Sequence, residues 1–185
     1  MAKRVLVPLA DGCEEIEAVT VIDILRRAEI EVVAAGLAEG VVTASRGVRL
    51  QPDAALDAVL EDPFDMLVLP GGGPGAERLQ KDERILRLAK TMQEEGRYVA
   101  AICAAPKVLV TAGVLDNRRA TSYPGHIDRN PAPGMTYVEE PVVVDGKVVT
   151  SRGPGTAMDF ALTLVELLAG PEKRRAVEAG LQRPR

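Results

Sequence analysis

Two textures of apolar positions alternate along this chain. Unbroken apolar runs rich in Val, Leu and Ile read as buried strands: KRVLVPLA (3–10), IEVVAAG (30–36), MLVLP (66–70) and YVAAIC (98–103). Between them, apolar residues recur every three or four positions. Ile16, Val19, Ile22 and Leu25 predict one inward helix face, and Ile85, Leu88 and Met92 predict another within 82–95. Residues 106–112 read as a helix after the fourth strand. Two interruptions look antiparallel: a small hairpin or edge excursion at 41–50 around Arg46-Gly47, and VVVDGKVVT (142–150) with Asp145-Gly146 as its turn. SRGPGTAMDFALTLVELLAG (151–170) is a loop feeding a long helix that Gly170 stops. The charged remainder, 171–185, is expected to fray in part.

Strands alternating with helices imply a mostly parallel sheet with helices on both faces, an α/β three-layer sandwich. No linker, repeat or low-complexity tract interrupts it, so residues 1–185 read as one domain. In open sheets of this kind, ligands gather beyond the carboxyl ends of the strands. The loops leaving the central strands, DGCEEIE (11–17), PGGGPG (70–75) and CAAP (103–106), should therefore meet in space.

Composition narrows the chemistry available there. With 185 residues, 46% of them apolar, the chain can bury a full core. The 23 Lys and Arg against 27 Asp and Glu leave a net charge of −4, which is no footprint for nucleic acid; aromatics at 3%, without Trp, leave little for base stacking. The apolar run after Lys3-Arg4 is too short for a secretory signal, and none spans a bilayer. The expectation is a cytoplasmic protein with reduced thiols and no membrane partner. There is one histidine, His126, and there are two cysteines, Cys13 and Cys103. These three cannot build a Cys/His zinc site or a multi-histidine metal centre. No metal and no cofactor are expected.

Cys103 sits between a predicted strand and a predicted helix, the setting of a nucleophile elbow. Pro106 suits an early helical position, and the helix N-terminus favours the thiolate, so a lowered pKa is expected. The alternative is an inert cysteine closing a buried strand. Cys13, in a loop at a predicted helix start, reads as a packing residue. Glu14 and Glu15 suit a helix N-terminus. Glu17, turned toward a thiolate, should have a raised pKa, be protonated and carry protons for the nucleophile. The PGGGPG loop lacks the pattern of a nucleotide-binding loop. Its glycines permit N–H groups to approach an oxyanion, or merely make a tight turn. Arg152 could bind an anion, although a structural ion pair is the plainer reading.

Taken together, KRVLVPLADGCEEIEAVT, DMLVLPGGGPGA, AAICAAP and TSRGPGTAMDFAL resemble the DJ-1/PfpI (ThiJ) superfamily, in its DJ-1 branch, with four motifs in order over nearly the whole chain. The resemblance implies a flavodoxin-like sandwich and a homodimer to which the first helix contributes. It implies Cys103 as the reactive cysteine, Glu17 as its protonated partner, and Gly72 and Ala104, with Gly73 adjoining, as oxyanion or substrate donors; Arg152 falls at the motif arginine. Two departures stand out. Where many members carry Thr-His-Pro, this chain reads TSYPGH, with Tyr123 before Pro124 and His126 displaced along the loop. His126 either reaches the pocket or lies at the surface, the latter being favoured, and Tyr123 could orient a substrate. Ala104 after the cysteine disfavours the Cys-His-Gly protease branch, and the His-x-Glu of glutamine amidotransferases is missing.

By that resemblance the expected activity is cofactor-free chemistry on 2-oxoaldehydes such as methylglyoxal, or on glycated amines: a glyoxalase III or deglycase in stress defence. The alternative is a redox-sensing stress protein or chaperone whose Cys103 oxidises to sulfinate. A third reading is a binding module with an inert cysteine.

Overall fold

The computed structural model describes residues 2–184; Met1 and Arg185, the two ends of the 1–185 reading, lie outside the described residues. The elements in chain order are β1 (Arg4–Leu9), α1 (Glu15–Arg27), β2 (Glu31–Gly36), β3 (Val42–Thr43), β4 (Arg49–Leu50), β5 (Ala54–Ala55), β6 (Met66–Leu69), α2 (Gly73–Lys81), α3 (Glu83–Glu94), β7 (Tyr98–Ile102), α4 (Pro106–Thr111), β8 (Arg119–Ala120), β9 (Thr136–Tyr137), β10 (Val142–Asp145), β11 (Val148–Ser151) and α5 (Ala157–Gly180). Seven strands form the main sheet in the order β10-β11-β7-β6-β1-β2-β5. All its pairings are parallel except β10 with β11. The inner order β2-β1-β6-β7-β11 is the flavodoxin-like doubly wound arrangement. Helices α1 and α5 pack together on one face, while α2, α3 and α4 form the layer on the other. Val5, Leu6, Leu67, Val68, Val99 and Ala100 are fully buried between those layers, which is why their strands read as unbroken apolar runs.

The hairpins at β3–β4 and β10–β11 form as the turn residues predict, with Gly47 and Gly146 in the left-handed region. Three expectations change. Helix α1 buries Glu15, Glu17, Ala18, Val21, Ile24 and Leu25, while Ile16 and Val19 stand 55% and 46% exposed. The helix carries two apolar stripes, and the one interrupted by Glu17 is the inner one. Second, PGGGPG does not stay a loop: α2 starts at Gly73, with Pro74 in its first turn and Ala76 and Leu79 buried. Proline is pre-organised for that position. Third, the tail is helical. Gly170, at φ 88°, breaks α5 as expected, but the chain resumes as helix to Gly180. Val177 is buried there, Lys173 pairs with Glu29 at 2.5 Å, and Arg183 pairs with Asp159 at 2.8 Å.

Candidate active site

The sheet reverses its winding at β1, which pairs with β2 on one side and β6 on the other. The loops beyond β1 and β6 therefore leave toward opposite layers, and a crevice opens at their ends. Cys103 is the first residue beyond β7. Its N–H donates to the Ser151 carbonyl (3.0 Å), and its own carbonyl accepts from the Tyr123 N–H (2.8 Å). Between those anchors it takes φ 65°, a left-handed conformation that costs a non-glycine residue about 1 to 2 kcal/mol. The strand thus turns sharply toward α4, and the thiol is left 9% exposed at the base of the opening.

Glu17, in the first turn of α1, is fully buried. Its Oε2 accepts the Gly71 N–H at 2.8 Å, and its Oε1 has no partner. An ionised carboxylate with an unpaired buried oxygen is costly, and the group responds by keeping its proton. Burial pushes the carboxyl from an ordinary 4.5 up to about 7; hydrogen bonds with Cys103 and the Gly71 N–H hold it back, and the Glu14 charge adds to the rise.

The thiol does not show the lowered pKa expected of a helix N-terminus. Burial, then the Glu17 charge and the hydrogen bond to Glu17, push Cys103 up to about 12, against the Gly72 and Ala104 N–H groups that pull it down. Two of the three upward influences involve Glu17. The two groups titrate as a pair, and the thiolate is reached in the state where Glu17 keeps the proton.

A stability consequence follows from Glu17. Between pH 4.5 and about 7 the folded protein holds a proton that the unfolded chain has released, so stability falls as pH rises through that window. Glu17→Gln keeps an acceptor for Gly71 and removes the titration. Relative to the native protein, the variant should gain about 3 kcal/mol between about pH 5 and about pH 8, read from denaturant unfolding at both. An unchanged difference between the two pH values would show that Glu17 is not titrating in the fold.

Two glycines make the site compact. A Cβ on Gly71 would lie 2.6 Å from the Cys103 Cβ and 2.7 Å from Glu17 Oε2. Gly72, at φ 85°, packs against the Gly12 carbonyl with no room for a side chain. The family resemblance points to Gly72 and Gly73 and not to Gly71, which holds the carboxyl; three successive glycines look alike until the sheet places them.

The opening above Cys103 is a cleft of about 730 Å³ lined by Gly72, Gly73, Ala104, Tyr123 and His126, with Asp11, Glu14, Arg46 and Arg78 among its walls. His126 is thus brought to the cleft, not left on the open surface. Its ring meets the Tyr123 ring edge-on at 6.3 Å, and burial, then the Lys107 charge, lower its pKa against the pull of Asp128. Arg152 is placed differently. It does not line the cleft and makes no ion pair among the described residues; its backbone N–H donates to the Pro141 carbonyl at 3.3 Å. Cys13 is 1% exposed, and burial pushes its thiol up to about 12, as befits a packing residue. Glu14 caps α1, and Glu15 holds the β3–β4 turn through the Arg46 N–H and the Ser45 hydroxyl, both at 2.7 Å. A second hollow of similar volume, between Phe64 and Leu88, has neither cysteine nor histidine in its walls. Among the described residues no helix is long and apolar enough to cross a membrane.

Comparison with known proteins places the whole chain beside solved and curated relatives. The model of the DJ-1/PfpI family matches residues 3–167. Protein dj-1beta of Drosophila melanogaster is 44% identical over 183 residues, 98% of this chain and 97% of that one, and the crystal structure of Drosophila DJ-1beta superposes with a TM-score of 0.96 over 100% of both chains. The glutathione-independent glyoxalase DJR-1.2 of Caenorhabditis elegans is 39% identical, covering 94% of this chain and 91% of its own. The deglycase PYRAB04690 of Pyrococcus abyssi is 41% identical, covering 89% and 99%. Two Arabidopsis thaliana relatives, DJ-1 homologs A and B, are longer; this chain spans 46% and 41% of their length.

Proposed function

The chain belongs to the DJ-1/PfpI family, and from that membership we propose that it is a cofactor-independent cysteine enzyme acting on 2-oxoaldehydes such as methylglyoxal. The observation that carries the proposal is the buried Cys103–Glu17 pair at the floor of an open cleft, with one carboxyl oxygen fixed by Gly71 and the other free. One relative named a glyoxalase and one named a deglycase support an enzymatic reading of the site.

In the proposed reaction the Cys103 sulfur adds to the aldehyde carbon, and the carbonyl oxygen takes up a proton to give a hemithioacetal. The Gly72 and Ala104 N–H groups, which already pull on the sulfur, stabilise the oxygen as its charge develops. The former aldehyde C–H is lost as a proton to give an enediol. Return of a proton to the neighbouring carbon gives a 2-hydroxy thioester. Water cleaves that thioester, freeing the 2-hydroxy acid and the thiol. The sum is aldehyde plus water, with no external oxidant or reductant. Glu17, with a pKa of about 7, can both give and take protons near neutrality. His126, held toward its neutral form in the same cleft, is a second proton acceptor. The test is lactate release from methylglyoxal without glutathione or metal. Lactate at the enzyme-free rate would rule the reading out.

A second reading is favoured by the unpartnered Glu17 Oε1. As an acid it could donate to a sulfinate oxygen on Cys103, formed by two successive oxygen transfers from a peroxide, each releasing water. On mild peroxide treatment, mass spectrometry should find a two-oxygen adduct on Cys103 and none on buried Cys13. The reverse pattern would refute a sensor role.

The exposed apolar stripe of α1 supports a homodimer. Ile16 and Val19, 55% and 46% exposed, lie three residues apart on one face of α1, where a second copy could cover them. Ile16→Asp combined with Val19→Asp should shift the protein toward monomer in sedimentation analysis.

A further inference from the structure

Resting on the enzymatic reading above, we propose that the cleft selects carbonyl substrates carrying an oxyanion, carboxylate or phosphate, with Arg78 as the specificity residue and Arg46 as a second cationic group. The first observation is reach: the cleft that opens on Cys103 and Ala104 extends past Gly73 and Pro74 to Arg46 and Arg78.

The second observation is which side chains are already held. Two acids line the cleft, and each keeps its charge while accepting hydrogen bonds from the protein's own neutral donors. Asp11 Oδ1 accepts the Thr43 N–H at 2.8 Å. Glu14 accepts the Ile16 N–H at 3.2 Å through Oε1, while the Ser45 hydroxyl, 3.1 Å from its Oε2, donates to Glu15 at 2.7 Å. The two arginines are not spent. Neither Arg46 nor Arg78 makes an ion pair among the described residues. Arg78 is held only through Nε, which donates to the Asp11 carbonyl at 3.1 Å. That bond fixes the side chain along the wall and leaves both terminal nitrogens of the fork for a ligand. A guanidinium anchored at one nitrogen and open at the others is pre-organised for a planar oxyanion.

Alkylation of Cys103 by two reagents of nearly equal size tests this without depending on turnover. Iodoacetamide is neutral and iodoacetate carries a carboxylate; in each case the sulfur forms a bond to the methylene carbon and iodide leaves. Relative to 2-mercaptoethanol, the ratio of iodoacetate to iodoacetamide rates at Cys103 should be raised about fivefold at low salt and should fall as salt is added. Arg78→Gln and Arg46→Gln should each cut the ratio about threefold, with Arg78→Lys restoring part of it. A ratio equal to that of 2-mercaptoethanol, or one indifferent to both glutamine variants, overturns the anion selectivity. Cys103 inert to both reagents overturns its reading as an accessible nucleophile, and this inference with it. Normal alkylation with anion preference but no lactate from methylglyoxal removes the enzymatic reading and leaves the anion site standing.

Discussion

Cys103→Ala should abolish methylglyoxal turnover, lowering kcat/KM by about a thousandfold or more, while leaving the fold in place. The size follows from covalent catalysis: without sulfur there is no hemithioacetal, and what remains is binding and N–H donors acting on water. The fold should survive because alanine meets the same φ of 65° with the same Cβ, and the bonds to Ser151 and Tyr123 use only backbone atoms. Thermal unfolding should therefore move by only about 1 kcal/mol, a cost set by one lost sulfur at a 9% exposed position. Glu17→Gln makes the discriminating comparison. It keeps the acceptor for Gly71 but cannot exchange a proton, so activity should fall while the thiol remains available to alkylating reagents. If Cys103→Ala kept turnover within a few-fold of the native protein, the mechanism would be wrong however well the family fits.

Gly71→Ala should damage stability and site together. The added methyl would sit 2.6 Å from the Cys103 Cβ, 2.7 Å from Glu17 Oε2 and 2.8 Å from the Ile102 carbonyl, and only the first two belong to side chains. Relief requires β7 to shift or Glu17 to leave its hydrogen bond. Overpacking of this kind costs about 3 kcal/mol, or a fall of about 6 to 12 °C in Tm for a chain of this size. The neighbouring control is Gly73→Ala, where nothing lies within 4 Å of the new methyl and the position opens α2. It should unfold close to the native midpoint. Equal midpoints for both variants would mean that the glycine loop is not packed as described.

The two substitutions separate what each level of the molecule contributes. Local sequence was sufficient for β1, β6 and β7, because a strand covered on both faces must be apolar at every position; at Cys103 it allowed both an elbow and a cysteine closing a buried strand. It was misleading for α1. Ile16 and Val19 share a spacing with Leu25, yet the face that packs inward is Ala18, Val21, Ile24 and Leu25 with Glu17 among them, because an acid within an apolar stripe hides that stripe from a periodicity reading. Sequence also saw a loop where α2 begins, although Pro74 followed by Ala76 and Leu79 was a legible start signal.

The order of the chain by itself determined a mostly parallel sheet with helices on both faces, the cysteine after one of its strands and the glutamate at the start of a helix after another, because periodicity and turn chemistry act over a few residues. Only the tertiary structure decided that Gly71 holds Glu17 and that Arg152 stands outside the cleft while Arg46, Arg78 and His126 enter it. It also decided that the Cys103 pKa goes up rather than down. Those outcomes depend on desolvation and on charges drawn from distant segments, and neither is present until the loops beyond β1, β6 and β7 close over the same few ångströms.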